Sequence, residues 1–235
     1  MYLDYYLLGI ILLPGLILSI VAEVMVADSF KKYSLVASQL GQTASEVART
    51  FLDNAGLHHI QVVRVSGQLT DHYHHKKKIL ALSDEVYDST SIAALGVACH
   101  EVGHAIQYHQ NYIPVKIRNI LIPICNFGSK IMWFLLFMGL AFFYLFTTPF
   151  LLYIGIGVFA LFVLFYLITL PCEFNASKRA TALLQNSGYL STQELIGAKK
   201  VLRAAALTYV AALVVSILDL LRLILVVMLN NKKRD

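Results

Sequence analysis

In LGVACHEVGHAIQ, residues 95–107, two histidines and a carboxylate interrupt an apolar run. His100 and His104 stand four residues apart. On a helix that spacing stacks both imidazoles on one face, where both reach a single metal ion. Glu101 projects about 100° further around, beside such an ion rather than onto it. Zinc held by three protein groups keeps a fourth position for water and lowers its pKa toward about 7. Glu101 is then placed to take the water's proton as it attacks a peptide carbonyl, and to pass it to the leaving amine. Chemistry of this kind needs a third protein ligand.

The third ligand is not supplied by the same helix. A metzincin pattern requires Gly at 107 and His at 110, where this chain has Gln107 and Gln110. His109 is nine residues from His100 and falls on the far side of the helix. No Asp or Glu occurs between Val102 and Cys172, so the first carboxylate after Glu101 is Glu173. Pro171 is suited to the first turn of a helix, which predicts Glu173 near a helix N-terminus. A transition-state oxyanion needs a donor, and His72, Arg179 and Tyr209 are all candidates. His72, His74 and His75 also cluster, but no carboxylate or cysteine near them has metal spacing, and they read as an exposed histidine-rich loop. The three cysteines, Cys99, Cys125 and Cys172, form no C-x-x-C and read as reduced, buried thiols.

Apolar elements must position these groups. Of 235 residues, 58% are hydrophobic, and the mean hydropathy of +0.67 exceeds that of an ordinary soluble domain. Four segments approach the roughly 20 residues needed to cross a bilayer, at 5–22, 131–147, 150–170 and 207–229. The first has Asp4 and no basic residue ahead of it, so it reads as a retained span rather than a signal peptide. These four spans put residues 23–130 and 171–206, the catalytic portion, on one side of the membrane. The N-terminus, the turn Thr147–Thr148–Pro149 and the tail from Asn230 go to the other. Spans two and three then form a hairpin that returns Glu173 to the side carrying His100 and His104. Most basic residues near the spans lie on that side, which places it in the cytoplasm, although Lys232, Lys233 and Arg234 fall opposite. The net charge of +5 flanks apolar segments, as in proteins lying against anionic lipid, and argues against nucleic acid. Trp133 and Tyr144 sit near the ends of the second span. Asp219 and Arg222, three apart in the fourth, share a helix face and are expected to pair inside the bundle.

The polar portion reads as mixed α and β. Thr43 with Glu46 three residues on marks a helix start, and Gly56 its stop. IQVVRVSGQLT and KILALSDEVY contain strand-like runs. SIAALGVACHEVGHAIQYHQ reads as one helix capped by Ser91 and ending before Pro114. The stretch 175–207 is helical with a break at 186–188. The KILALS strand, just before the histidine helix, either accepts an extended substrate as an added strand or is an ordinary sheet strand. The fold class is a mostly α membrane protein of one domain over 1–235, with about four transmembrane helices and a zincin-like α+β peptidase portion holding a small sheet.

GVACHEVGHAIQ and LPCEFNASKRA resemble segments of the YugP family of membrane zinc metallopeptidases, which is distantly similar to the HtpX proteases. SDEVY, SIAALGVA, AAALTYVAA and KKYSLVASQLGQTASEVARTFLDNAGL are similar too, so the resemblance covers nearly the whole chain. It implies one Zn2+ per chain on His100, His104 and Glu173, with Glu101 as general base. Two departures stand out. After LTDHY the family often continues Asp-Pro, where this chain has His74, His75 and three lysines. The HtpX-like carboxylate motif carries an Asp where Asn175 or Ser177 stands here. The expectation is a multi-pass zinc endopeptidase of the cell membrane, acting on membrane or membrane-proximal polypeptides from the cytoplasmic face. Its rivals are a metal-binding scaffold or sensor without activity, an intramembrane protease and a transporter. His100 lies well outside the apolar spans, against the second of these, and the single internal charge pair offers a transporter little.

Overall fold

The structure is a computed structural model that describes residues 8–146 and 150–231. It is mostly helical. In chain order it contains α1 (Leu13–Ser34), α2 (Ala44–Asn54), β1 (Gln61–Val65), β2 (His72–His74), β3 (Ile79–Ser83), α3 (Asp84–Tyr87), α4 (Ile92–His109), α5 (Ile113–Phe146), α6 (Phe150–Asn186) and α7 (Thr192–Asn231). Two compact units are built from these. One comprises Met1–Val21, Ile117–Leu170 and Thr208–Asp235, and the other Ala22–Lys116 and Pro171–Leu207.

The first unit is helical and apolar. Among the described residues three helices are long and apolar enough to cross a membrane, at Leu8–Ser34, Phe150–Asn186 and Thr192–Leu229. Along Leu8–Ser34 the large side chains of Ile10, Leu13, Leu16, Ile17 and Ile20 are exposed, a surface that lipid rather than water would cover. Gly15 allows α1 to approach α7, since a Cβ there would lie 3.0 Å from side-chain atoms of Val215 and Leu218. Leu152, Leu223 and Val227 form a small buried cluster between α6 and α7. The expected span at 131–147 is the C-terminal part of α5 and is not one of the three. Its closing turn at Thr147, Thr148 and Pro149 lies outside the described residues, as do the side chains of Trp133 and Tyr144, the N-terminal residues of the 5–22 span and the basic tail at 232–234. Asp219 is half-buried and Arg222 is exposed.

The second unit holds the main core. Helix α2 begins as expected, with the Thr43 side chain on the Glu46 N–H and the Glu46 carboxylate on the Thr43 N–H. Gly56, at φ +73°, ends it, and the Leu57 N–H returns to the Leu52 carbonyl at 2.8 Å. Val47, Ala48, Phe51 and Leu52 on its inner face pack with Leu80, Leu82, Leu95, Ala98 and Val102. Ser91 caps α4 through the Ala94 N–H. At the far end Asn111, at φ +55°, plays the part a glycine often plays.

The sheet has the order β1-β3-β2. β3 runs parallel to β1 and antiparallel to β2, with Tyr73 opposite Leu80. KILALS is therefore the central strand with both edges already paired, and it cannot accept a substrate strand. The sequence could not reveal this, because strand order depends on a crossover between β1 and β3 rather than on any local pattern. The open edges belong to β1 and β2.

A second difference concerns α6. Pro171 lies inside this helix and does not begin a new one. Its fixed φ suits a helix, and the cost is one missing N–H donor. Glu173 is accordingly a mid-helix residue, with Ala176 and Ala180 following on the same buried face. Small residues there let α4 and α6 meet closely. A Cβ on Gly103 would come 2.7 Å from the Ala176 carbonyl oxygen and 3.2 Å from its Cα. Those are backbone atoms, and no rotamer change moves them aside. Gly103→Ala is expected to cost about 1–3 kcal/mol and to lower the thermal midpoint of the detergent-purified protein. Gly157→Ala, in open space on α6, is the control and should leave the midpoint unchanged or raise it.

Candidate metal centre

The helical spacing of His100 and His104 does what the sequence led us to expect. Their rings lie 4.7 Å apart between centroids, at 88° to one another. Glu173 comes from α6 and points between them. Its Oε2 is 3.3 Å from His100 Nε2 and 3.4 Å from His104 Nε2. One ligand atom from each of the three residues lies within 4.8 Å of the others. Two ligand atoms bound to a tetrahedral zinc at about 2.0–2.1 Å stand roughly 3.3–3.4 Å apart, so the spacing suits that ion. Glu173 is 1% exposed and His104 9% exposed, while His100 is partly open.

The second nitrogen of each imidazole is also held. His104 Nδ1 lies 3.0 Å from Gln107 Oε1. The Gln107 amide nitrogen donates to the Cys172 carbonyl at 2.7 Å and to Asn175 Oδ1 at 3.0 Å, which leaves the amide oxygen as acceptor. His104 Nδ1 therefore carries the proton, and its Nε2 presents a lone pair toward Glu173. His100 Nδ1 is 3.1 Å from the Ser177 hydroxyl. Lone pairs of imidazole and carboxylate converging in a space largely closed to water require a positive charge between them, a proton or a metal. The donor set of two neutral imidazoles and one carboxylate is one that zinc takes.

Glu101 is on the same helix, 8% exposed. Among the described residues it has no hydrogen-bond or ion-pair partner, so its carboxylate is not committed to a structural bond. Arg179 donates from Nε to Asn175 Oδ1 at 2.7 Å and so acts behind Gln107 rather than beside the three ligand atoms. His72 is exposed on β2, its Nδ1 2.8 Å from the Thr70 carbonyl. Tyr209 lies in α7 and belongs to the other unit. Among the described residues the His72–His75 run forms no metal-ligand group. His75 instead stacks on Tyr108, with centroids 4.6 Å apart and planes at 12°. Burial pushes the Cys99 thiol well above its usual pKa, so Cys99 is a neutral packing group.

The chain aligns with known proteins over most of its length. The family described as "putative neutral zinc metallopeptidase" matches residues 8–228. The chain belongs to this family. It is also 41% identical over 218 residues to the "Putative membrane protease YugP" of Bacillus subtilis (strain 168), covering 93% of this chain and 95% of that protein. No solved structure matches. Membership implies Zn2+, and His100, His104 and Glu173 can hold it.

Sequence reasoning passed over two residues of this site. Gln107 was noted only as the residue that breaks a metzincin pattern, although its place three residues after His104 puts it beside that ring. Ser177 was weighed only as a replaced Asp, although it stands four residues after Glu173. Removing such partners of zinc-binding histidines typically weakens metal affinity about 10–100-fold. Gln107→Leu, which keeps the volume and loses every hydrogen bond, is expected to weaken zinc binding by that order. Chelator competition on the purified protein measures it, with Ser177→Ala expected to show a smaller loss, because His100 stays partly solvated.

Proposed function

We propose that the chain is a membrane-anchored zinc endopeptidase, with one zinc held by His100, His104 and Glu173 and with Glu101 as general base. The observation that carries this reading is the meeting of two imidazole nitrogens with one Glu173 oxygen, at 3.3 and 3.4 Å, beside a buried carboxylate with no structural bond of its own among the described residues. Zinc bound there supplies a Lewis acid that polarises a carbonyl and makes water acidic near neutral pH. Glu101 accepts a proton from the attacking water and delivers it to the departing amine. His104 is kept in one tautomer by Gln107, and Asn175 and Arg179 hold Gln107 in turn. His72, on the exposed edge strand, remains a candidate for donating to the developing oxyanion. The open edge of β2, rather than β3, is the strand to which an extended peptide adds.

The apolar helices support a multi-pass arrangement, with 5–22, 131–147, 150–170 and 207–229 as the spans. The basic residues near their ends favour a cytoplasmic site. A site tethered in this way acts on polypeptides in or close to the bilayer.

Two variants test the assignment. Glu173→Ala should lower the zinc content of detergent-purified protein from about one per chain to a small fraction of that, because a catalytic zinc needs its third protein ligand. Zinc retained without Glu173 would move the third ligand elsewhere. Glu101→Gln should keep its zinc and lose peptide cleavage by a factor of at least about 100, the lower range for a positioned general base. Wild-type protein that binds zinc and cleaves nothing Glu101→Gln does not would be a scaffold or sensor.

A further inference from the structure

The tip of the β2–β3 hairpin carries His74, His75, Lys76, Lys77 and Lys78 in succession. The three lysines are exposed, and among the described residues none forms an ion pair. The acidic residues that flank this hairpin in the chain stand at its other end, where Asp71 meets Ser83, and are engaged there. Asp84 and Asp88 face Arg64, Glu85 bonds Gln68, and Asp71 accepts from Ser83. The concentration of positive charge is felt within the turn itself. The His75 imidazole is held below its usual pKa, first by burial and then by Lys76, His74 and Lys78.

This charged turn is fixed to the histidine helix. His75 stacks on Tyr108, and Tyr73 meets the same ring edge-on at 5.5 Å and 61°. Tyr108 is one helical turn beyond His104 on α4. The backbone of the turn is also set, with the Lys77 N–H on His74 Nδ1 at 3.3 Å and Lys78 at φ +55°. The lysines thus stand at one end of the open edge of β2. A peptide added antiparallel to β2 would run from the tip toward His72, so its N-terminal residues would meet the lysines.

We propose that Lys76, Lys77 and Lys78 form an anion-binding subsite that selects polypeptides with acidic side chains N-terminal to the residues paired with β2. The proposal rests on the peptidase reading for its purpose. A peptide is favoured over a lipid headgroup because the charge sits at the end of an open strand edge and is tied by one aromatic ring to the helix bearing His104. Like charges crowded without local compensation are electrostatically costly, and an incoming carboxylate relieves that cost.

The test is a binding comparison that needs no turnover. Full-length Glu101→Gln protein, zinc-loaded and in detergent, is titrated with a fluorescent peptide carrying a glutamate cluster ahead of an apolar segment. Its twin has glutamine at each glutamate. The acidic peptide should bind about tenfold more tightly, as expected for a few exposed ion pairs acting together. The preference should shrink as salt approaches about 0.15 M. Adding Lys76→Gln, Lys77→Gln and Lys78→Gln should abolish it while zinc content stays equal to that of the parent. Equal affinities for the two peptides, or a preference that survives in the triple variant, would overturn the proposal. Lysine-dependent binding of phosphatidylglycerol in mixed micelles with no peptide preference would overturn it in favour of a lipid surface. Failure of the peptidase reading shows separately, as zinc-loaded wild-type protein that cleaves neither peptide.

Discussion

Everything at this site depends on two helices approaching closely enough for lone pairs from both to meet. α4 supplies His100 and His104, and α6 supplies Glu173. Neither helix can form the cluster alone. Gly103 and Ala176 set the separation, because a side chain at Gly103 would strike the backbone of α6. The cost of gathering a carboxylate and two imidazoles in a nearly dry space is substantial unless a cation joins them. The approach of the helices and the demand for a positive charge are therefore one constraint seen from two sides.

Gln107 makes that constraint specific. It is fully buried, and each polar atom of its amide has a partner: His104 on the oxygen, Cys172 and Asn175 on the nitrogen. A half-satisfied amide here would be worse than an apolar residue, because buried polar groups are costly when left unpaired. The network thus locks helix separation, ring orientation and tautomer together. Asn175 stands in the neighbourhood where an HtpX-like carboxylate motif carries an Asp. Its side-chain oxygen accepts from both Gln107 and Arg179, so at this position an amide does work that a carboxylate could do.

What the sequence disclosed divides along the line between local and non-local physics. His100 and His104 were legible because a spacing of four is a property of one helix. The caps at Thr43 and Ser91, and the stop at Gly56, were legible for the same reason. Glu173 was reachable by elimination, since a stretch of some seventy residues held no rival carboxylate. Its setting was not legible: proline is tolerated both at a helix start and inside an apolar helix, and only the fold decides. Strand order was hidden as well. β3 pairs directly with β1 although β2 comes between them in the chain, and no alternation within KILALS reports which edges are taken. Gln107 could have been read beside His104 from its helical spacing, but its bonds to Cys172 and Asn175, and that of Ser177 to His100, form only when α4 and α6 meet.

Tyr108 joins the two halves of the functional argument. On one side it continues the helix that presents His104. On the other it receives Tyr73 from β2 and His75 from the hairpin turn. Tyr73 lies between the two histidines of the edge strand, opposite Leu80 in the core of the sheet. Any peptide laid along that edge is thus referred, through one ring, to the helix that carries His104. Proximity alone contributes little to rate unless the reacting atoms are held in register. An edge strand free to shift by one residue would exchange the faces its side chains present. The aromatic contacts at Tyr108 oppose such a slip, because a shift of β2 would carry Tyr73 and His75 off the ring together. The packing of this hairpin against α4 therefore fixes the register of β2 relative to the helix that carries His104.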